Sequence, residues 1–171
     1  VYPDDKRVQV ALNYAIENNW PCVVHIEFAS LHGEKRKKFL REFKQMLDQH
    51  PKQAFVLTHM GQLSRNRCLR LIKNHNNIYF HTGWTNPVAV ESSNQPWTNV
   101  FEKDHLSPEW KDLFIQYPKR FIFALDNVFA KHWSDFYRKQ INYWKRGFAE
   151  LPDDVSHLIA HGNAERLWNI T

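Results

Sequence analysis

The sequence predicts an α/β fold, a parallel sheet of short strands covered by helices, and three observations carry that prediction. Short apolar runs recur at Cys22-Val23-Val24, at Ala54-Phe55-Val56-Leu57 and at Phe121-Ile122-Phe123-Ala124-Leu125, as expected of strands buried on both faces. The longer stretches between them place apolar residues every three or four positions, the period of an amphipathic helix. The two kinds alternate as helix, then strand–helix three times, then a strand and two helices, which is the order that builds a parallel sheet. No linker or repeat divides residues 1–171, so the chain reads as a single α/β domain, or part of one.

Each element has a local cause. Asp4 or Asp5 can cap a first helix whose apolar stripe is Val8, Ala11, Leu12, Ala15 and Ile16, and Pro21 forbids its continuation. A strand is expected over Cys22–Glu27 and a loop over Phe28–Gly33. A second helix runs from Lys35 to Gln49 with Phe39, Leu40, Phe43, Met46 and Leu47 on one side, and His50-Pro51 stops it. Ala54–His59 is the second strand, with Met60-Gly61-Gln62 as a tight exit. A helix from about Ser64 to Lys73 buries Cys68, Leu69 and Ile72, and Ile78–Thr82 is the third strand. Gly83 to His105 is the longest irregular stretch, and loops of that length in a compact domain usually serve as lids or binding loops. Ser107-Pro108 starts a helix carrying Trp110, Leu113 and Phe114, with Pro in the first turn. Arg120–Leu125 is the fourth strand, Ser134–Phe148 a long helix, and Pro152 opens the last helix, which runs through Trp168.

Composition narrows the function classes. With 43% hydrophobic and 24% charged residues the chain reads as soluble and globular. Its twelve Phe, seven Trp and six Tyr must be buried, line a pocket or meet a partner. A net charge of +5 invites a nucleic-acid reading. The densest basic run, Lys35-Arg36-Lys37-Lys38, opens a helix that soon gains Glu42 and Asp48, however, and reads as a solvated face. A small-molecule substrate is therefore expected in preference to nucleic acid. Cys22 and Cys68 form no CxxC pair and no disulfide framework, so a reducing, cytoplasmic location is expected, with Cys22 as an apolar filler. No apolar run reaches the ~18 residues of a membrane span. The N-terminus shows neither a signal-peptide layout nor an initiator Met, as in a processed or excised piece.

In parallel α/β architecture, ligands bind where the C-terminal ends of the strands meet the following loops. His25, His59, His81 and Asp126 all fall at such ends. Neutral imidazoles and a carboxylate suit a Zn-like divalent ion, with Mn an alternative. Such an ion lowers the pKa of bound water to about 7. Asp126 is the candidate for ligand and base together, and His59 the candidate to bind metal or polarise a substrate carbonyl. A lone histidine at a strand end is ordinarily a hydrogen-bonded structural residue; three strands ending alike favour a site. Those three are His25, His59 and Asp126; His81 is a weaker fourth, because Thr82-Gly83 also suits a plain strand exit. Glu27, two residues past His25, shares its side of an extended chain and can orient a ligand, bind substrate or pair with an arginine. His32, His50, His75 and His105 are expected to be solvated. Trp84, Trp97 and Phe101 either roof a pocket that binds substrate or pack beneath the long loop.

Four segments occur in an order that resembles a known family. Pro21-Cys22-Val23-Val24-His25, Phe55-Val56-Leu57-Thr58-His59-Met60-Gly61, Arg120-Phe121-Ile122-Phe123-Ala124-Leu125-Asp126 and Gly162-Asn163-Ala164-Glu165-Arg166-Leu167-Trp168 look like the C-terminal half of the amidohydrolase-related metal-dependent hydrolases. The resemblance implies a TIM barrel, (β/α)₈, with about four strands, its second half, present here. It also implies hydrolysis of C–N or C–O bonds in amides, esters or lactones. By resemblance His25 is the fifth-strand metal ligand, His59 the sixth-strand histidine near metal and substrate, and Asp126 the eighth-strand ligand and proton carrier. The Gly-Asn-Ala-Glu-Arg-Leu segment is then a packing signature of the last barrel helix. The chain departs from the family in lacking its His-x-His pair, and His81 stands where relatives often have an acid. The expectation is that strands one to four are absent from this piece, or come from another chain or a second copy in a homo-oligomer. Two rivals remain open at this point: a non-oxidative decarboxylase on the same scaffold, and a non-catalytic basic α/β module that binds nucleic acid or an acidic partner.

Overall fold

The computed structural model describes residues 2–170. In chain order its elements are α1 (Lys6–Glu17), β1 (Cys22–Val24), α2 (Gly33–Gln49), β2 (Phe55–Leu57), α3 (Arg65–Asn74), β3 (Ile78–His81) and α4 (Pro87–Glu91). They continue as β4 (Phe101–Glu102), β5 (His105–Leu106), α5 (Pro108–Gln116), β6 (Phe121–Ile122), α6 (Asp135–Ala149), α7 (Asp153–His157) and α8 (Asn163–Trp168). A single π turn, Leu158–Gly162, joins the last two helices into one run. No helix among the described residues is long and apolar enough to cross a membrane.

The predicted sheet is present. β1, β2, β3 and β6 pair in that order, all parallel, with Val56 of β2 opposite Val23 and Tyr79. β2 is wholly buried, paired on both edges by β1 and β3. β1 is an outer strand: Val23 is 53% exposed and Cys22 only half-buried, so the filler role expected of Cys22 holds on one face alone. The core lies between the sheet and its helices. Phe43, Met46 and Leu47 of α2, Cys68, Leu71 and Ile72 of α3, and Leu113 and Phe114 of α5 pack on the strands. Phe114 meets Phe121 edge-on, ring centroids 4.7 Å apart.

Two buried asparagines fasten helices to strands. Asn163 Nδ2, at the head of α8, donates to the carbonyls of Pro118 and Phe121, both at 2.8 Å. Asn77 Nδ2, entering β3, donates to Leu47 O and His50 O at the end of α2, both at 2.9 Å. The packing role expected of the Gly-Asn-Ala-Glu-Arg-Leu segment is thus a pair of hydrogen bonds from one side chain.

Several expectations are corrected. The strands are shorter than their apolar runs. β2 stops at Leu57 because His59, Met60, Gly61 and Gln62 turn left-handed, with φ between 49° and 62°. β6 stops at Ile122 because the next ladder donor, Ala124 N–H, bonds the Thr82 hydroxyl instead of the Thr82 carbonyl, which accepts from Thr85 Oγ1; Phe123 N–H, on the opposite edge, donates to Ile159 O of the π turn. The 83–105 stretch is more regular than a loop: Asn86 caps α4, and β4 and β5 form an antiparallel pair. Phe101, expected with the tryptophans, packs edge-on against Trp144 of α6 in the core. Ala11 is exposed. His75, expected to be solvated, is buried, and its Nδ1–H donates to Asp48 Oδ1 at 3.0 Å.

Candidate active site

The residues singled out from the sequence sit along one rim. His25 is one residue past β1, His59 two past β2, His81 ends β3, and Asp126 lies four past β6. The rings of His25 and His59 meet edge-on at 5.2 Å, and those of His59 and His81 at 5.9 Å. His59 Nε2 lies 3.5 Å from Asp126 Oδ2. β2 and β6 are two positions apart in the sheet, about 10 Å if it were flat. Side chains from them can approach this closely because the sheet curls and both reach toward its concave side, as in a barrel.

Local backbone fixes each side chain. The left-handed turn after β2 aims the His59 ring inward. Such φ costs a non-glycine residue about 1–2 kcal/mol, and three residues other than glycine adopt it here, His59, Met60 and Gln62. At Gly61 a side chain is excluded twice over: φ is 62°, and a Cβ would stand 2.7 Å from Leu57 Cδ2. Strain of this kind concentrates at functional sites. After β6, Asp126 is held although no strand reaches it. Thr82 Oγ1 accepts from Ala124 N at 3.1 Å in place of a ladder bond, and the Trp84 indole N–H donates to the backbone carbonyl of Asp126 at 3.1 Å.

Gly83 sets both inner histidines. Its carbonyl oxygen lies 3.1 Å from His59 Nδ1, so Nδ1 carries the proton and Nε2 keeps a free lone pair. Its N–H donates to His81 Nδ1 at 3.1 Å, so neutral His81 carries its proton on Nε2. One residue thus imposes opposite tautomers on two neighbours: His59 presents an acceptor and His81 a donor. Burial holds both rings neutral. It lowers the pKa of His59, against smaller opposing effects from Gly83 and Asp126. It lowers that of His81 to about 4, with nearby His59 adding to the effect. The sequence marked Gly83 only as a strand exit; no side-chain pattern could have revealed a role that its backbone performs.

The outer members differ in access. His25 is exposed and pairs with Glu27, Nε2 to Oε1 at 3.6 Å, so Glu27 does share the side of His25 and orients it. Ser30 Oγ donates to Glu27 Oε2 at 3.4 Å. Asp126 is 36% exposed against 7% for His59, which leaves its carboxylate open to water. Trp97 approaches His59 to 5.0 Å and Trp84 to 5.4 Å, forming an aromatic wall with Trp84 backed by His132 at 5.6 Å. His132, buried there, was not foreseen; it lies in a short turn (130–133) with no strand to mark it.

The chemistry of the donors suits a divalent metal, with two imidazoles and one carboxylate. The tautomer of His59 adds an observation: its Nε2 lone pair faces a carboxylate oxygen, and two acceptors at 3.5 Å repel unless a positive charge or a proton lies between them. Among the described residues no group of three or more His, Cys, Asp or Glu side chains is placed to hold a metal ion, so His59 and Asp126 are the two that approach each other. The residues fit part of a coordination shell.

Known proteins match at the level of family and fold. No curated protein matches the chain. Among solved structures, an uncharacterised TIM-barrel protein from Bordetella bronchiseptica aligns at a TM-score of 0.61 and 18% identity, covering 98% of this chain and 52% of its own. A protein of Agrobacterium tumefaciens, solved in apo form, aligns at 0.55 and 15% identity, covering 96% of this chain and 56% of its own. The chain therefore spans about half the length of the barrels it resembles. The sequence profile of the amidohydrolases matches residues 1–170. This chain belongs to the amidohydrolase family, and its four parallel strands are part of a TIM barrel.

Proposed function

We propose that the chain carries half of a metal-dependent hydrolase centre, in which His25, His59 and Asp126 hold a divalent ion, Zn or Mn, beside a small-molecule substrate. The observation that carries this reading is the His59–Asp126 approach, an acceptor lone pair facing a carboxylate oxygen at 3.5 Å, which a cation would reconcile. The buried and partnerless Asn127 Oδ1, next to Asp126, supports it as a second acceptor without its donor or ion. When bound, the ion supplies Lewis acidity and a water of pKa near 7.

The remaining roles belong to the chain. Asp126, open to water, takes the proton of the attacking water and returns it to the leaving group of an amide, ester or lactone. His81 directs its Nε2–H toward the substrate carbonyl oxygen, where a neutral donor stabilises developing negative charge. Trp84 and Trp97 present ring faces to the substrate's apolar part, and Glu27 holds His25 in orientation.

Titration of Zn or Mn into the chain, read by calorimetry, tests the ligand set. Asp126→Ala should weaken binding at least tenfold, and unchanged affinity would remove Asp126 from it. The indole wall also favours a second reading, decarboxylation of an aromatic carboxylate. Release of carbon dioxide from aromatic carboxylates, without hydrolysis of esters, lactones or amides by the metal-loaded protein, would select it.

A further inference from the structure

The basic run at the start of α2 takes no part in the candidate site, yet the structure gives it a setting. A cavity of about 280 Å³ lies between α2 and α3. Its floor is apolar: Phe28, Leu63 and Leu71, each under 5% exposed, turn hydrocarbon toward it, and Leu40 forms a side wall. Its rim is cationic. Arg36 and Lys44 of α2 face Arg67 and Arg70 of α3 across the opening, and among the described residues none of the four pairs with a carboxylate. Lys37, also at the rim, is occupied by Glu34 at 2.7 Å.

We infer that this groove binds a small amphipathic carboxylate, with a medium-length alkyl chain on the apolar floor and the carboxylate held between the guanidinium groups of the rim. Four like charges gathered around one opening repel one another, and one carboxylate relieves that repulsion while forming forked bonds to arginine. The apolar floor excludes a bare inorganic anion as the best occupant, because it offers no donors to one. The size, near the lower end for ligand pockets, excludes a bulky lipid. None of the lining residues belongs to the proposed metal centre, so the inference stands independently of the reaction.

Calorimetric titration of hexanoate, octanoate and decanoate, below their micelle concentrations and with chelator present, tests the inference. Saturable binding is expected, tightening up to about fourfold per added methylene and weakening as salt is raised. Replacing both rim arginines, Arg67→Gln with Arg70→Gln, should weaken octanoate by more than about tenfold, the loss of charge-assisted bonds. These are exposed positions where folding is not at stake. Leu40→Trp, which fills the groove, should abolish binding with the thermal transition retained. Decanol binding as tightly as decanoate would reduce the groove to a hydrophobic crevice. Acetate binding as tightly as octanoate would reduce it to an anion patch. Either result, or no saturable binding by the unaltered chain, overturns the inference.

Discussion

Acidification should destabilise this chain through His81. Burial and the neighbouring His59 ring hold His81 at a pKa of about 4, against about 6.5 in an unfolded chain. A base whose folded pKa lies below its unfolded value binds fewer protons when folded, so its contribution is present above pH 6.5 and is lost as pH falls toward 4. Linkage for a single site with these values removes about 2 kcal/mol between pH 7 and pH 5, and at most about 3.4 kcal/mol at lower pH. His59, also lowered by burial, acts in the same direction, while Asp126 opposes both by favouring their charged forms. Urea unfolding in chelator at pH 7, 6 and 5 measures the loss, and His81→Gln isolates it. A glutamine carbonyl can accept from Gly83 N–H in place of Nδ1, but it does not titrate. The wild-type chain should lose about 2 kcal/mol more than the variant between pH 7 and pH 5. Parallel curves for the two proteins would refute the idea that His81 is kept neutral by its surroundings.

Gly83→Ala would put a Cβ 2.5 Å from His81 Cε1 and 2.9 Å from its Nδ1, so the ring must turn away and give up its hydrogen bond. A lost bond and an off-rotamer ring cost about 1–2 kcal/mol after the entropic benefit of alanine in the unfolded chain. Nitrogen-detected NMR should show His81 losing its single Nε2–H tautomer. Asn163→Ala would strip the donor from two buried carbonyls, Pro118 O and Phe121 O. The change should lower unfolding free energy by about 2 kcal/mol in urea titration, with the rim of the site intact by histidine NMR.

The layered architecture was legible because the runs around Val56 and Phe121 are apolar on consecutive positions, as burial on both faces asks, and the run at Val23 continues the series although its strand is an exposed edge here. Strand ends were not legible, for reasons that differ. The chain after Leu57 turns left-handed, a conformation that Thr58-His59-Met60 does not advertise; Gly61 is its only sequence signal. After Ile122 the Thr82 hydroxyl takes the next ladder donor, Ala124 N–H, and Phe123 N–H on the outer edge reaches Ile159 O of the π turn, partners some 36 to 42 residues away in the chain that no local pattern reveals. For Phe101 the sequence left a pocket roof and packing both open, and the fold decides for packing. Its neighbours in sequence line the site, but β4 and β5 fold it back onto Trp144.

For the site, the sequence supplied donors and the fold supplied their protonation. Three imidazoles and a carboxylate at strand ends can be counted from the residues alone, and the curled sheet brings them to one rim. Which nitrogen of each ring carries a proton depends on the peptide at Gly83, whose carbonyl and N–H face different histidines. That difference decides the chemistry. With the tautomers exchanged, His59 Nε2–H would bond Asp126 directly and close the space between them, and His81 would offer a lone pair where a substrate carbonyl needs a donor. A lone pair at His59 Nε2 and a hydrogen-bond donor at His81 Nε2 are therefore two consequences of one backbone placement, and a substitution that moves Gly83 should disturb both together.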